Sequence, residues 1–210
     1  LARAVEAAVR AEGAVPATVA LIDGQIRLGL DDATLVRLAQ AEGVAKCSPR
    51  DRPLVLAQGS LGATTVAGTI RIAAAHGIRV MATGGIGGVH RGGEASLDVS
   101  ADLHELARSG VAVVCSGAKI ILDLPRTLEV LESLGVPVVG YGTDRFPAFY
   151  ARDSGLAVPC IADVAGLARL VRAQAELGWP SGLVVAQPPP ADLALPAAEL
   201  EAWIAVALVA

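Results

Sequence analysis

Of the 17 basic residues in this 210-residue chain, only Lys46 and Lys119 are lysines. Arginine keeps its proton in a protein, whereas a lysine in apolar surroundings can give it up. Any step that needs a neutral amine must therefore use one of these two positions. Lys119 follows the apolar run 111–115 and the small residues Ser116, Gly117 and Ala118. That pattern sets it just past a buried strand, where desolvation favours a neutral amine able to attack carbonyls. The competing reading is a surface lysine that closes a turn. Lys46 ends a short apolar run ahead of Cys47 and Ser48. A protonated amine there suits a phosphate as a compact charge; an ordinary surface charge is the alternative. Cys47 reads as a packed thiol, since no histidine is near it in sequence.

Two carboxylates and a hydroxyl stand close together in Leu97-Asp98-Val99-Ser100-Ala101-Asp102. One carboxylate could hold a hydrated hard cation while its neighbours hold sugar hydroxyls. In the structural reading Asp98 is a turn residue and Asp102 a helix-dipole partner. No His/Cys cluster with zinc spacing is present. Upstream lies the loop Thr83-Gly84-Gly85-Ile86-Gly87-Gly88, whose backbone N–H groups could cradle a phosphate. It matches neither a Walker loop nor a dinucleotide fingerprint, and a tight turn without a ligand is the competing reading. His90 follows this loop and could assist, although a lone histidine is more often structural.

These groups need a scaffold that gathers them at one edge. Helical patterns cover 2–11, a segment capped by Asp31 or Asp32 and ending at 39, then 64–75, 101–109 with Ser100 as cap, 125–134, 163–177 and 196–209. Strand patterns cover 18–22, 25–30 across an Asp23-Gly24 hairpin turn, 44–47, 79–82, 111–115, 137–141 and 182–186. The expected fold class is α/β: a three-layer α/β/α sandwich with a mixed central sheet, the early hairpin supplying the antiparallel pair. The unbroken apolar run 111–115 predicts a central strand buried on both faces. Ligands of such sheets sit at the carboxyl ends of the strands.

Composition narrows the function classes. With 53% hydrophobic and 18% charged residues, intrinsic disorder is excluded. A net charge of -4 argues against a nucleic-acid partner. The longest uncharged stretch, 53–70, holds three glycines and several polar residues, so no membrane partner is expected. Three cysteines make no disulfide framework, and a reducing, cytoplasmic setting is expected. No signal peptide is expected in the first residues, where Arg3 and Glu6 interrupt the apolar ones. A 210-residue chain reads as one domain.

Five ordered motifs carry a resemblance: Val44-Ala45-Lys46-Cys47-Ser48, Gly62-Ala63-Thr64-Thr65-Val66, the run from Ala82 to Gly92, Asp98-Val99-Ser100-Ala101-Asp102-Leu103, and Gly117-Ala118-Lys119. Together they resemble the pseudouridine-5′-phosphate glycosidase, or indigoidine synthase A-like, family. The resemblance implies reversible cleavage of the C–C glycosidic bond of pseudouridine 5′-phosphate to uracil and ribose 5-phosphate. It implies a divalent cation, usually Mn²⁺, an α/β/α fold and a homotrimer. By motif, Lys119 corresponds to the nucleophile that forms a Schiff base with C1′, and Asp98 to the metal ligand. Lys46, Val66, Ser100, Ala101 and Asp102 correspond to substrate-binding positions, with His90 beside them. A C–C bond to a base offers no heteroatom to protonate, so the two-carboxylate solution of ordinary glycosidases does not serve, and an iminium supplies the electron sink.

The chain departs from the family at several points. The family's early Glu-Ser-Thr segment, whose glutamate donates a proton, has no counterpart here, and Glu6 is not promoted to that role. Ile120 follows Lys119 where the family has serine, and Gln187-Pro188 stands where it has Asn-Pro. The expectation is a single domain over 1–210 that corresponds to the central portion of the family's enzymes. The alternatives are a catalytically impaired remnant that binds ribose 5-phosphate, or another Schiff-base enzyme acting on sugar phosphates.

Overall fold

The structure, a computed structural model, describes residues 1–207, the side chain of Glu94 excepted. It divides into two compact units, Leu1–Ile72 and Ala73–Ala210, each with its own sheet.

The first unit opens with α1 (Ala2–Ala11) and a hairpin of β1 (Val19–Ile22) and β2 (Gln25–Leu28). Asp23 and Gly24 form its turn at φ 50° and 75°, the conformation that two-residue hairpins require. Next comes α2 (Asp32–Gln40), whose cap Asp31 accepts from the Thr34 N–H at 2.7 Å. There follow β3 (Ala45–Cys47), α3 (Arg52–Ala57), β4 (Gly62–Thr64) and the start of α4 (Val66–Ala75). The strands order β2-β1-β4-β3, antiparallel except that β3 runs parallel to β4. Period-two alternation sends Leu21 into a cluster with Cys47, Val55 and Ile72. Its neighbours Ala20 and Ile22 pack with Leu30 on the other face.

The second unit is built on β5 (Val80–Ala82), β7 (Ala112–Cys115), β9 (Val138–Tyr141), β10 (Cys160–Ile161) and β11 (Leu183–Ala186). They are all parallel, in the order β10-β9-β11-β7-β5. Between β5 and β7 lie β6 (Val89–His90), α5 (Gly93–Ser96) and α6 (Ala101–Leu106). Between β7 and β9 lie β8 (Leu122–Asp123) and α7 (Leu124–Ser133). The helix α8 (Val164–Glu176) returns the chain to β11, and α9 (Ala197–Ala207) follows. Leu167, Leu170 and Val171 of α8 cover Ala112, Val139, Leu183 and Val185. Val113 and Val184 are fully buried as well, so the middle of the sheet is closed on both faces.

The α/β class agrees with the sequence expectation, as do the caps Asp31 and Ser100; Asp163, expected as the first helical residue, is instead the cap of α8. The hairpin makes the first sheet mixed, whereas the second is parallel throughout. Thr64, expected in a helix, belongs to β4, because its strand pairs with β1 and β3 before the helix begins. Thr65 instead caps α4, its hydroxyl accepting from the Gly68 N–H at 3.1 Å. Of the last helix, expected over 196–209, α9 covers Ala197–Ala207; positions 208 and 209 lie outside the described residues. Among the described residues no helix is long and apolar enough to cross a membrane.

Candidate active site

Parallel pairing in the second unit puts the carboxyl ends of β5, β7 and β11 on one edge. Two loops leave that edge side by side. The Thr83 N–H donates to Val114 O at 2.9 Å, and the Ser116 N–H to Gly84 O at 2.9 Å. Beyond them the Ile86 N–H donates to Gly117 O at 3.0 Å, and the Lys119 N–H to Ile86 O at 3.1 Å. The backbone of Lys119 therefore hangs on the glycine loop. Gly117 in turn lets the 146–147 segment lie against this turn: its φ is 75°, and a Cβ there would stand 2.0 Å from Pro147 O.

The same stretch gathers the other candidates. The Gly87 N–H donates to Asp102 Oδ2 at 2.7 Å. The Ser100 N–H donates to Gly88 O at 2.9 Å, and the His90 N–H to Asp98 O at 2.9 Å. Residues 86–90 thus form a spine that touches Lys119, Asp102, Ser100 and Asp98 in turn. Asp102 is buried. Ser100 caps α6, its hydroxyl accepting from the Asp102 N–H at 3.2 Å. Ala101 opens the helix and is exposed. A Cβ on Gly87 would collide with Ser100 Oγ at 2.3 Å, so the loop is glycine-rich in part because α6 packs against it.

Other bonds hold the far side of the spine. The Val89 N–H donates to the buried Thr127 Oγ1 at 3.0 Å. Arg91 Nη2 donates to Ile120 O at 3.2 Å and pairs with Glu201 at 2.8 Å. The N–H groups of Thr83, Ile86, Gly87 and Val89 are thereby engaged within the protein. This corrects the phosphate-cradle reading at the three of these donors that belong to the loop, Thr83, Ile86 and Gly87.

Lys119 itself is exposed, although Ala118 and Ile120 on either side are buried. The expectation of a desolvated amine is corrected on this point: the buried strand ends at Cys115, four residues earlier. Burial acts on Cys115 instead, whose thiol is pushed up to about 12, and it also pushes up the Cys47 thiol. Asp98 is exposed, and its Oδ2 lies 3.7 Å from His90 Nδ1. Among the described residues no three His, Cys, Asp or Glu side chains converge as a metal cage. One open carboxylate fits a largely hydrated hard cation and does not fit a site closed by protein ligands.

Lys46 and Val66 belong to the first unit. Parallel pairing of Lys46 with Ala63 and of Cys47 with Thr64 brings the ends of β3 and β4 together. The Thr65 N–H donates to Cys47 O at 3.0 Å, so Val66 opens α4 beside the strand that carries Lys46. Lys46 is exposed and Val66 half-buried.

Sequence reasoning missed Thr127 and Phe149. The N–H of Phe149 donates to Ser116 O at 2.9 Å, and its φ is 59°. A signal was available: every phenylalanine and tyrosine of the chain falls within 141–150.

The family model for indigoidine synthase A like protein matches residues 1–210. Pseudouridine-5′-phosphate glycosidase of Rhodospirillum centenum is 61% identical over 204 residues, covering 97% of this chain and 63% of the relative. The Jannaschia sp. protein of the same name is 56% identical, covering 95% of this chain and 66% of its own length. The chain thus spans just under two thirds of these curated relatives. Among solved structures, the prealnumycin C-glycosynthase AlnA, crystallised in complex with ribulose 5-phosphate, superposes with a TM-score of 0.95 at 45% identity. That match covers 99% of this chain and 69% of AlnA. An indigoidine synthase A-like protein from Thermotoga maritima gives a TM-score of 0.89 at 36% identity, covering 95% of this chain and 68% of that one.

Proposed function

The chain belongs to the indigoidine synthase A-like family, and on that premise we propose that it carries the reactive core of a pseudouridine-5′-phosphate glycosidase. The observation that carries this reading is the 3.1 Å bond from the Lys119 N–H to Ile86 O. It holds the lysine at the carboxyl edge of a parallel sheet, where the fold class takes its ligands. The names of the relatives and the sugar phosphate bound by AlnA support the substrate class.

In this reading the Lys119 amine bonds to C1′ as the C1′–O4′ bond opens and O4′ takes a proton. The bond from C1′ to the base then breaks. Its electron pair goes to the base carbon, which is protonated, and the nitrogen lone pair closes the iminium. Water adds to C1′ and releases ribose 5-phosphate and the free lysine. Ser100, Ala101 and Asp102 hold the sugar phosphate, with His90 beside them and with Lys46 and Val66 as further substrate contacts. A divalent cation, Mn²⁺ in the family, would be held through Asp98 and would supply positive charge for sugar hydroxyls. A homotrimer and a cytoplasmic setting belong to the same proposal.

A second reading is binding of ribose 5-phosphate without turnover. Glu6 has no part in either reading: its carboxylate accepts from Thr18 Oγ1 at 2.6 Å and pairs with Arg10 at 3.0 Å, and these partners hold its pKa below the usual range.

Borohydride reduction with ribose 5-phosphate tests the first reading. Mass spectrometry should find the reduced adduct on Lys119, and Lys119→Arg should abolish it. An adduct at another residue rejects the assignment. Calorimetric binding of the sugar phosphate with no uracil released favours the second reading.

A further inference from the structure

The chemistry outlined above leaves Phe149 without a role, yet the chain holds it in a costly conformation. Its φ of 59° is left-handed, a region that bulky side chains avoid and that persists only where the surroundings impose it. The surroundings here are the two loops that carry the site. Its N–H grips one of them, donating to Ser116 O at 2.9 Å. Its ring lies on the other: a Cβ on Gly85 would stand 2.4 Å from Phe149 Cδ2, and one on Gly84 3.3 Å from Cε2. Ser116 and Gly84 are themselves bonded, Ser116 N–H to Gly84 O at 2.9 Å. The segment bearing Phe149 is anchored by Phe146, which is fully buried, and by a bridge between Gly117 and Ala148. A glycine at 149 would satisfy the backbone without strain, so what the strained residue adds is the ring.

We propose that Phe149 is a positioning residue for Lys119: it clamps the glycine loop to the 116–119 turn and so sets where the amine stands above the strand ends. The role in turnover rests on the Schiff-base reading of Lys119; the clamp itself does not.

The experiment uses Phe149→Gly, which removes the ring while accepting the backbone conformation; relief of the left-handed strain offsets part of the lost packing, and thermal unfolding should show a chain that still folds cooperatively. With ribose 5-phosphate and borohydride, the maximal trapping rate on Lys119 should fall by about 10–100-fold, while the half-saturating sugar phosphate moves by less than about threefold. Gly85→Ala should slow trapping strongly in the wild-type background, where the methyl meets the ring, and should do clearly less harm in Phe149→Gly, where Gly117 O at 3.2 Å is the contact that remains. Trapping at the wild-type rate in Phe149→Gly, or equal damage from Gly85→Ala in both backgrounds, overturns the proposal. Amide hydrogen exchange decides the clamp independently of turnover. The Ile86, Ser116 and Lys119 amides should exchange about tenfold faster or more in Phe149→Gly, with α8 unchanged; equal exchange overturns it. A wild-type chain that gives no Lys119 adduct rejects the Schiff-base reading alone, and the exchange result still decides the clamp.

Discussion

The backbone N–H of Gly87 meets Asp102 Oδ2 at 2.7 Å, joining the glycine loop to the first turn of α6 across 15 residues of chain. The contact gives a buried carboxylate a charge-assisted partner and places it near the positive end of a helix. Its neighbour Ser100 packs against the same glycine. The run proposed to bind substrate thus takes its shape from the loop that also holds Lys119.

Removing that carboxylate should therefore loosen the loop. Asp102→Ala leaves the Gly87 N–H without its acceptor and is expected to cost about 1–3 kcal/mol. Thermal unfolding should show a midpoint lower by roughly 2–4 °C per kcal/mol. Asp102→Asn keeps an acceptor oxygen and should lose less. Equal stability of Asp102→Ala and the parent chain refutes the loop-holding role.

Cation dependence should run through Asp98. In the proposed site a single exposed carboxylate would supply the charge, so Asp98→Asn should raise the half-saturating Mn²⁺ by about tenfold or more, equivalent to ~1.4 kcal/mol. Chelation with EDTA should reduce turnover of the parent chain, and added Mn²⁺ should restore it. A Mn²⁺ titration of Asp98→Asn that overlays the parent curve removes Asp98 from the site.

Alkaline stability should follow Cys115. Burial raises its thiol from an ordinary value near 9 to about 12 in the folded chain. The unfolded chain loses this proton first, so folding retains it. The contribution is whole below pH 9 and declines as pH rises towards 12, at up to about 1.4 kcal/mol per pH unit. Urea midpoints measured between pH 8 and 11 should fall more steeply for the parent than for Cys115→Ala. Parallel curves would falsify this assignment. Alkylation at pH 8.5 should label the exposed Cys160 and spare Cys115.

Much of the architecture was legible because its determinants are local. Asp31 and Asp163 reach N–H groups three residues on, and Asp23-Gly24 needs no distant partner to turn. The continuous apolar run ending at Cys115 announced a strand closed on both faces, and β7 lies between β11 and β5. The scarcity of lysine marks positions 46 and 119 from the sequence alone.

Other features have distant causes. The strands β6 and β10 are two residues long, too short for a periodic signal; pairing with β8 and β9 creates them. The glycines at 85, 87 and 88 read as a phosphate cradle in isolation. Folding fills the space beside them with Phe149, Ser100 and Thr127 and engages the neighbouring N–H groups. Residue types and their order mark which groups are chemically able to act: a lysine after an apolar strand, an aspartate in a turn, a serine at a helix start. Tertiary structure alone decided that one stretch of backbone holds them and that Lys119 is exposed. Side-chain chemistry travels with the residue, whereas exposure and hydrogen-bond partnership depend on which distant segment arrives beside it.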